Sequence, residues 1–395
     1  MLHSEKRGLV LKGLGILLLV ASATACGGSK ATMLEVDGVL HVMNPAEPLR
    51  PNWDIEINEF LRIGQDEGED EYILPGITGF VADEGGRTYL LMQQDDDIRV
   101  FNADGTFSHR IGRQGQGPGE LFRAASINFG PDGNVWVANA GLAKLTIFDR
   151  NGLYLRDIRF AAIPPVLIQT TSDGFMGLYI TPRQIVPNEV FEITYQLRRF
   201  SAEGDTLNTL FSTSVQMEVT DLQLGGMQDQ IPFYTIDDQN RVWQTRARTD
   251  VFEVNVWNPG GSLERVVEKE FEPIRKTEQE IEEERETVMR LISAQSGGQI
   301  PDGVNISYEP EPYRPATGFP YFDPRGYIWV QVTKEGSHNS NGFDIFNLEG
   351  EYQRRVELPG VNNPLWLSFN GDILFVQESD PMATPQIIGF TVTFN

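Results

Sequence analysis

Three charged side chains beside a glycine-rich stretch are the leading candidates for ligand binding in this sequence. Residues 112–120 read Gly-Arg-Gln-Gly-Gln-Gly-Pro-Gly-Glu. Arg113 and Glu120 lie within this stretch, and Arg123 follows it. The stretch is not a phosphate loop, because the GxxxxGK[ST] pattern is absent and no helix is predicted to follow. Glycines at this density permit tight turns with positive φ. Two interpretations stay open: a turn in which Glu120 accepts hydrogen bonds, and a ligand-binding group of Arg113, Glu120 and Arg123.

Residues that could bind a metal ion are present but poorly spaced. Asp95, Asp96 and Asp97 offer the oxygen ligands that calcium prefers. They lack the spacing of an EF-hand loop, so we expect an exposed charged loop there. The four histidines lie in separate elements without HExxH spacing (His3, His41, His109 and His338). The sequence therefore predicts no metal site and no cofactor.

The remaining composition excludes several classes of function. No GxSxG nucleophile motif occurs, and the carboxylates are too numerous for any pair to be chosen as acid and base. The formal net charge of -24 keeps the chain soluble and opposes binding to nucleic-acid backbones. We expect a monomer that does not bind nucleic acid.

A recurring phrase indicates how these residues are positioned. An aromatic residue that ends a β-strand is followed by a turn with glycine at its fifth position, about every 50 residues. The copies are residues 101–105, 148–152, 200–204, 257–261 and 346–350, with a partial copy at Phe394 and Asn395. A radial array of β-sheets has this pattern.

A second phrase lies upstream of each copy. It is a turn followed by alternating β-forming residues, as at residues 85–90, 132–137, 173–178, 239–244, 325–330 and 371–376. Each unit is therefore a four-stranded antiparallel blade. The innermost strands are predicted at residues 77–83, 125–129, 167–171, 233–236, 320–322 and 365–369. These strands begin with apolar or weakly polar residues, and they carry no consistent set of Asp, Asn, Glu or His.

The units predict an all-β fold, a six-bladed β-propeller of four-stranded antiparallel blades over residues 34–395. The sixth blade lacks its fourth strand, which we expect from residues 53–63, so that the N- and C-terminal segments close the ring. The long interval after Trp257 places one helical and Pro-rich insertion at residues 276–318. Thr277 and Glu280 form a predicted capping box at the start of its helix.

The Pro-rich run at residues 301–320 carries three aromatic residues, and a fourth follows it directly. They are Tyr308, Tyr313, Phe319 and then Tyr321. Aromatic side chains in such a loop either stack on a sugar or peptide, or fix the loop in place.

The N-terminus has the features of an export signal. Basic Lys6, Arg7 and Lys12 precede the apolar residues 14–20, so residues 1–25 are predicted to be a signal peptide. The following Cys26 is the single cysteine of the chain. Residues 23–26 (Ala-Thr-Ala-Cys) resemble a bacterial lipobox, although Ala23 stands where Leu is usual. The resemblance implies lipidation of Cys26, with residues 26–33 as a tether. The residue after Cys26 is Gly27 and not Asp, which in enteric lipoproteins favours sorting to the outer membrane. The resemblance therefore implies an exported lipoprotein of the outer membrane, if the organism has one.

Residues 111–121 resemble the phrase iGxxGxGPGEf of six-bladed propellers from bacterial lipoproteins, which are related to NHL-repeat proteins. The family hosts varied activities, so the resemblance itself implies no reaction. The predicted lipid anchor, the repeat and the lack of a catalytic motif favour a non-catalytic binding module for a glycan, peptide or envelope protein. Propellers similar to this one include calcium-dependent lactonases and peptidylglycine lyases. A metal-dependent hydrolase or lyase with its site at the central channel is therefore the alternative, and an architectural role in an envelope complex is a third.

Overall fold

The computed structural model describes residues 30–187, 189–225, 228–295, 304–333, 341–378 and 384–395. The predicted signal peptide, Cys26 and His338 lie outside the described residues. In the described part, no helix is both long and apolar enough to cross a membrane.

The strands form six sheets, one for each blade. Ahead of the ring lie β1 (Thr32–Val36), β2 (Val39–Asn44) and β3 (Ile55–Ile63). The first three blades contain β4 (Ile77–Ala82), β5 (Thr88–Met92), β6 (Ile98–Phe101), β7 (Phe107–Ile111), β8 (Ala124–Phe129), β9 (Val135–Asn139), β10 (Lys144–Phe148), β11 (Tyr154–Arg159), β12 (Val166–Thr171), β13 (Gly174–Val186), β14 (Val190–Ser201), β15 (Thr206–Glu218) and β16 (Asp221–Gln223).

The other three blades and the insertion follow. They contain β17 (Pro232–Ile236), β18 (Val242–Arg246), β19 (Glu253–Trp257), β20 (Leu263–Lys269), α1 (Glu278–Gln295), β21 (Asn305–Ser307), β22 (Pro320–Asp323), β23 (Tyr327–Val332), β24 (Gly342–Asn347), β25 (Tyr352–Glu357), β26 (Pro364–Asn370), β27 (Ile373–Glu378) and β28 (Gln386–Phe394). Two 3-10 turns occupy Ala140–Leu142 and Gln228–Gln230.

Each blade is an antiparallel sheet whose strands follow chain order from the ring centre outward. Blades 1 and 2 are β4–β7 and β8–β11, and blade 5 is β22–β25. Blade 3 (β12–β15) is extended by β16 and β21, and blade 4 (β17–β20) is extended by β2 and β1. The predicted fold, with its six four-stranded blades and one helix, is confirmed, and the six predicted innermost strands correspond to β4, β8, β12, β17, β22 and β26.

Blade 6 closes the ring with a strand from the other end of the chain. β26, β27 and β28 are followed by β3, which runs antiparallel to β28 from Ile55 opposite Phe394 to Ile63 opposite Ile387. Ile63 is buried, and so is Trp53 just before the strand. The expectation that residues 53–63 supply the missing strand is therefore confirmed.

Aromatic and β-branched residues form one apolar cluster between each pair of neighbouring blades. Trp136, Trp243 and Trp329 occupy the second strands of blades 2, 4 and 5 and are fully buried. The turn after an innermost strand is fastened by an aspartate. Asp237, for example, accepts hydrogen bonds from the Arg241 backbone N–H at 2.9 Å and from Trp243 Nε1 at 2.8 Å. Stability of the ring thus arises from packing between blades and from repeated local turns.

The capping box at α1 is confirmed. Thr277 Oγ1 accepts a hydrogen bond from the Glu280 backbone N–H at 3.2 Å, and the Glu280 carboxylate accepts one from the Thr277 N–H at 2.7 Å. We expect Thr277→Ala to destabilise the helix by about 1 kcal/mol. Hydrogen exchange measured by mass spectrometry will detect faster exchange in residues 278–285. Thr277→Ser keeps the hydroxyl and is the control; equal exchange in both variants would contradict the assignment.

Candidate functional site

A central cavity of about 310 Å³ lies where the six innermost strands meet. Every blade contributes to its wall. The lining residues are Thr78, Gly79, Phe80, Val81, Ser126, Ile127, Asn128, Phe129, Leu167, Ile168, Gln169, Thr170, Tyr234, Thr235, Ile236, Phe319, Pro320, Tyr321, Phe322, Trp366, Leu367, Ser368 and Phe369. Among these described residues there is no Asp, Glu, His, Lys or Arg, so the wall is neutral.

Most polar groups of the wall connect one innermost strand to the next. Asn128 donates from Nδ2 to the Ile168 carbonyl at 2.7 Å, and Gln169 donates from Nε2 to the Tyr234 carbonyl at 2.9 Å. Burial raises the pKa of Tyr234 above its ordinary value, so its hydroxyl stays protonated at neutral pH. In contrast, the Thr78 Oγ1 atom is buried and has no hydrogen-bond partner among the described residues. A ligand could supply that partner.

Three partly buried aromatic residues stand where the innermost strands of blades 4, 5 and 6 begin. The ring centroids of Phe233 and Phe319 are 4.0 Å apart, and those of Phe319 and Trp366 are 4.6 Å apart. Phe319 and Trp366 line the cavity. Stacked and edge-on rings of this kind present a rigid apolar surface to a ligand.

An apolar groove lies beside the cavity, between blades 4 and 5. It shares Phe319 with the cavity and is lined by Ile231, Phe233, Ala247, Pro315, Thr317, Gly318, Phe319, Gln331, Val332 and Thr333. Ala247 and Pro315 also line a third depression of about 390 Å³, called here the charged pocket. The charged pocket is formed by Asp229, Arg246, Ala247, Arg248, Thr249, Asp250, Lys276, Tyr308, Glu311, Tyr313 and Pro315. The groove therefore adjoins the cavity at Phe319 and the charged pocket at Ala247 and Pro315.

The cations of the charged pocket differ in their partners. Arg248 makes two hydrogen bonds to the Asp250 carboxylate, at 3.0 and 2.8 Å, and Lys276 binds Glu284 at 2.6 Å. Arg246 is half-buried, and its guanidinium carbon lies 5.8 Å from the centroid of Phe211. Within the described residues it has no ion-pair partner.

The three site residues predicted from the sequence lie in the connection between blades 1 and 2, and none of them lines the cavity. Arg113 and Glu120 come together: the guanidinium binds the carboxylate at 2.8 Å. The Gly117 N–H, at 2.7 Å, and then Arg113 hold the pKa of Glu120 below its ordinary value. Arg123 instead lies over the ring of Phe122 at 5.5 Å.

The glycine-rich stretch has a visible structural role. A methyl group added at Gly115 would collide with the Glu120 carboxylate, and Gly112 and Gly119 have φ of +71° and +72°. The carboxylate of Glu120 thus fills the space inside the turn. These contacts agree with the first of the two interpretations, and the ligand-binding role of Arg113, Glu120 and Arg123 stays a prediction.

The acidic triplet is not an exposed loop, and that expectation was wrong for two of its members. Asp96 and Asp97 are both 5% exposed. Asp96 Oδ1 accepts the Ala124 N–H at 3.2 Å, and Asp97 pairs with Arg110 at 2.8 Å. Asp96 thus fastens blade 1 to the start of blade 2, whereas Asp97 pairs within blade 1. In the described part of the chain, no group of three or more His, Cys, Asp or Glu is placed to hold a metal ion.

Sequence reasoning missed Arg246, which carries no motif. Two signals existed for the aromatic residues. Phe233 and Trp366 fall inside predicted innermost strands, and Phe319 lies in the Pro-rich run, in which stacking on a ligand was one interpretation.

The chain resembles known proteins mainly in fold. An uncharacterized protein of Acanthamoeba polyphaga mimivirus is 33% identical over 106 residues, which are 26% of this chain and 25% of the viral protein. The chain thus matches about a quarter of that relative's length.

A solved structure agrees with this architecture. A Bacteroides fragilis protein named as exported superposes with a TM-score of 0.51 at 11% identity, covering 90% of this chain and 99% of that one. A Bacteroides vulgatus protein of the DUF4221 family has a TM-score of 0.49 at 11% identity, covering 86% and 98%.

The family model DUF5128, described as a 6-bladed beta-propeller, matches residues 69–294. Because this match covers more than half of the 395 residues, and because six blades are present, the chain belongs to this 6-bladed beta-propeller family.

Proposed function

We propose that this propeller is a non-catalytic binding module whose central cavity receives an uncharged part of its ligand. The observation that carries the proposal is the neutral, aromatic wall of the cavity. Taking a charge out of water without a partner costs several kcal/mol, so a neutral wall selects neutral groups. A concave, largely apolar site with a few polar atoms is the usual form of a ligand pocket.

The metal-dependent alternative has little support from this wall. A catalytic calcium or zinc ion needs carboxylate, amide or imidazole ligands that converge on one point. The amide oxygens are already engaged, since Asn128 Oδ1 accepts the Phe129 N–H at 2.8 Å and Gln169 Oε1 accepts the Ile236 N–H at 3.1 Å. The wall offers no carboxylate or imidazole. The residues present do not fit such an ion, and we derive no reaction step through one.

We further propose that the module is exported and held at a membrane through lipidated Cys26, in the manner of the lipoprotein propellers related to NHL repeats. The basic and apolar order of residues 1–25, followed by the single cysteine, supports this location. The ligand is then a glycan, a peptide or a protein of the cell envelope.

The proposed role of the cavity is tested by removing Trp366, one of the aromatic side chains that line it. We expect Trp366→Ala to weaken ligand binding about tenfold or more, because a lost aromatic contact of about 1–2 kcal/mol corresponds to such a factor. Neutral oligosaccharides and N-acetylated peptide amides, arrayed and then titrated by calorimetry, will supply the ligand.

Phe60→Ala is the matched control, because Phe60 is 48% exposed on the outermost strand of blade 6. Equal weakening by both substitutions would contradict the proposal. So would stoichiometric calcium or zinc in the purified protein.

A further inference from the structure

We infer that the cavity, the groove and Arg246 together bind the carboxyl-terminal end of a peptide. The inference rests on the proposed function and extends it along the groove. The terminal carboxylate lies at Arg246, the last apolar side chain lies in the groove, and the preceding neutral residues occupy the central cavity.

Arg246 suits a carboxylate because, within the described residues, its guanidinium forms no ion pair; its electrostatic partner Asp250 is itself hydrogen-bonded to Arg248. The other two cations of the charged pocket are engaged by Asp250 and Glu284. A guanidinium presents parallel N–H groups that match the two oxygens of a carboxylate. Its position near the ring of Phe211 restricts the side chain, which leaves less entropy to lose on binding.

The acidic residues of the charged pocket limit how much negative charge the ligand can carry. Asp229 accepts a hydrogen bond from the Gln230 amide at 2.7 Å, and Glu311 is exposed to solvent. With one free guanidinium beside these two carboxylates, a single carboxylate is accommodated better than a phosphate or a run of acidic residues.

The order of the three surfaces favours a peptide over other carboxylic acids. An acidic sugar would place hydroxyl groups against the apolar groove, where the lining offers them few partners. A fatty acid would place hydrocarbon against Thr78, Asn128 and Gln169 in the cavity. A peptide puts an apolar side chain in the groove and amide groups in the cavity, where the unpartnered Thr78 Oγ1 can bond them.

The test compares two probes that differ in one charge. Acetyl-Ala-Ala-Phe is titrated as the free acid and as its carboxyl amide, by calorimetry at about 0.15 M salt, where long-range repulsion from the acidic protein is screened. We expect the wild-type protein to bind the acid about tenfold more tightly, the factor expected of a charge-assisted hydrogen-bonded pair. Arg246→Gln should reduce the difference to less than about twofold.

Arg159→Gln is the matched control, because Arg159 is an exposed arginine at the end of β11 in blade 2 and lines none of the three pockets. It should keep the full preference for the acid, and unchanged thermal unfolding should verify that both variants are folded. Arg246→Lys keeps the charge without the planar fork and should give an intermediate preference.

Three outcomes would overturn the inference: equal binding of acid and amide to the wild-type protein, an undiminished preference in Arg246→Gln, or no binding of the acid at about 1 mM. Tighter binding of dodecanoate than of the peptide acid would also overturn it, in favour of a fatty acid. If acid and amide bind equally and Trp366→Ala weakens both, the inference fails while the cavity keeps its proposed function.

Discussion

Deletion of residues 30–63 is expected to abolish cooperative folding of the ring. The deletion removes β3, which pairs with β28 along eight positions from Ile55–Phe394 to Ile63–Ile387. It also removes the buried Trp53 and Ile63, each of which contributes about 1.5–3 kcal/mol through burial. β28 then becomes an unpaired edge, and such edges promote association between chains.

Size-exclusion chromatography with light scattering, together with thermal unfolding followed by circular dichroism, measures both effects. Deletion of residues 30–44 is the control, since it removes only β1 and β2 from the outside of blade 4. The control should remain folded at a lower unfolding temperature, because Val42 is buried there. A cooperative unfolding transition after loss of residues 30–63 would show that closure by β3 is dispensable.

Asp344→Ala is expected to cost about 3–5 kcal/mol of unfolding free energy, because it leaves the buried Lys269 ammonium without a counter-charge. Asp344 has no solvent exposure and makes two hydrogen bonds to Arg355, at 2.7 and 3.0 Å. The Lys269 ammonium lies 3.3 Å from the same carboxylate, between the rings of Phe252 and Tyr352 at 5.1 and 5.0 Å. One carboxylate therefore balances two cations from neighbouring blades.

Urea unfolding measures the loss, with Asp250→Ala as its control. Asp250 is also hydrogen-bonded twice to an arginine, but its side chain is 69% exposed, so its removal should cost less than about 1 kcal/mol. Adding Lys269→Met to Asp344→Ala should recover part of the stability, because one of the stranded cations is gone. Equal losses for the two single variants would refute the role assigned to this cluster.

The parts of the fold that were predictable from sequence are those encoded locally and repeatedly. The aromatic residue before each turn, such as Phe101 or Phe148, indicates the position of its own blade without information from the other blades. Ring closure followed from the incomplete sixth copy, since an unpaired edge has to be covered. The capping box of α1 depends on Thr277 and Glu280, which are neighbours in the chain.

The candidate site depends on residues that only the closed ring brings together. Phe233, Phe319 and Trp366 come from three different blades, and no local pattern relates them. Arg246 is distinguished by its place in the charged pocket without an ion pair among the described residues, which a sequence does not reveal. The burial of Asp96 was not predictable for the same reason, since the Ala124 N–H that it binds belongs to the next blade.

The added hairpin on blade 4 has a consequence for how the ring is oriented. β1 starts at Thr32, opposite Met43, which lies beside Glu268 at the end of β20. The upstream chain therefore reaches the ring on the side of blades 4 and 5, the sector that also contains the apolar groove. Five residues lie between Cys26 and Thr32, and the six steps from one Cα to the next reach about 20 Å at full extension. An attachment through Cys26 would hold this sector nearest to its anchor and turn the glycine-rich sector of blades 1 and 2 outward.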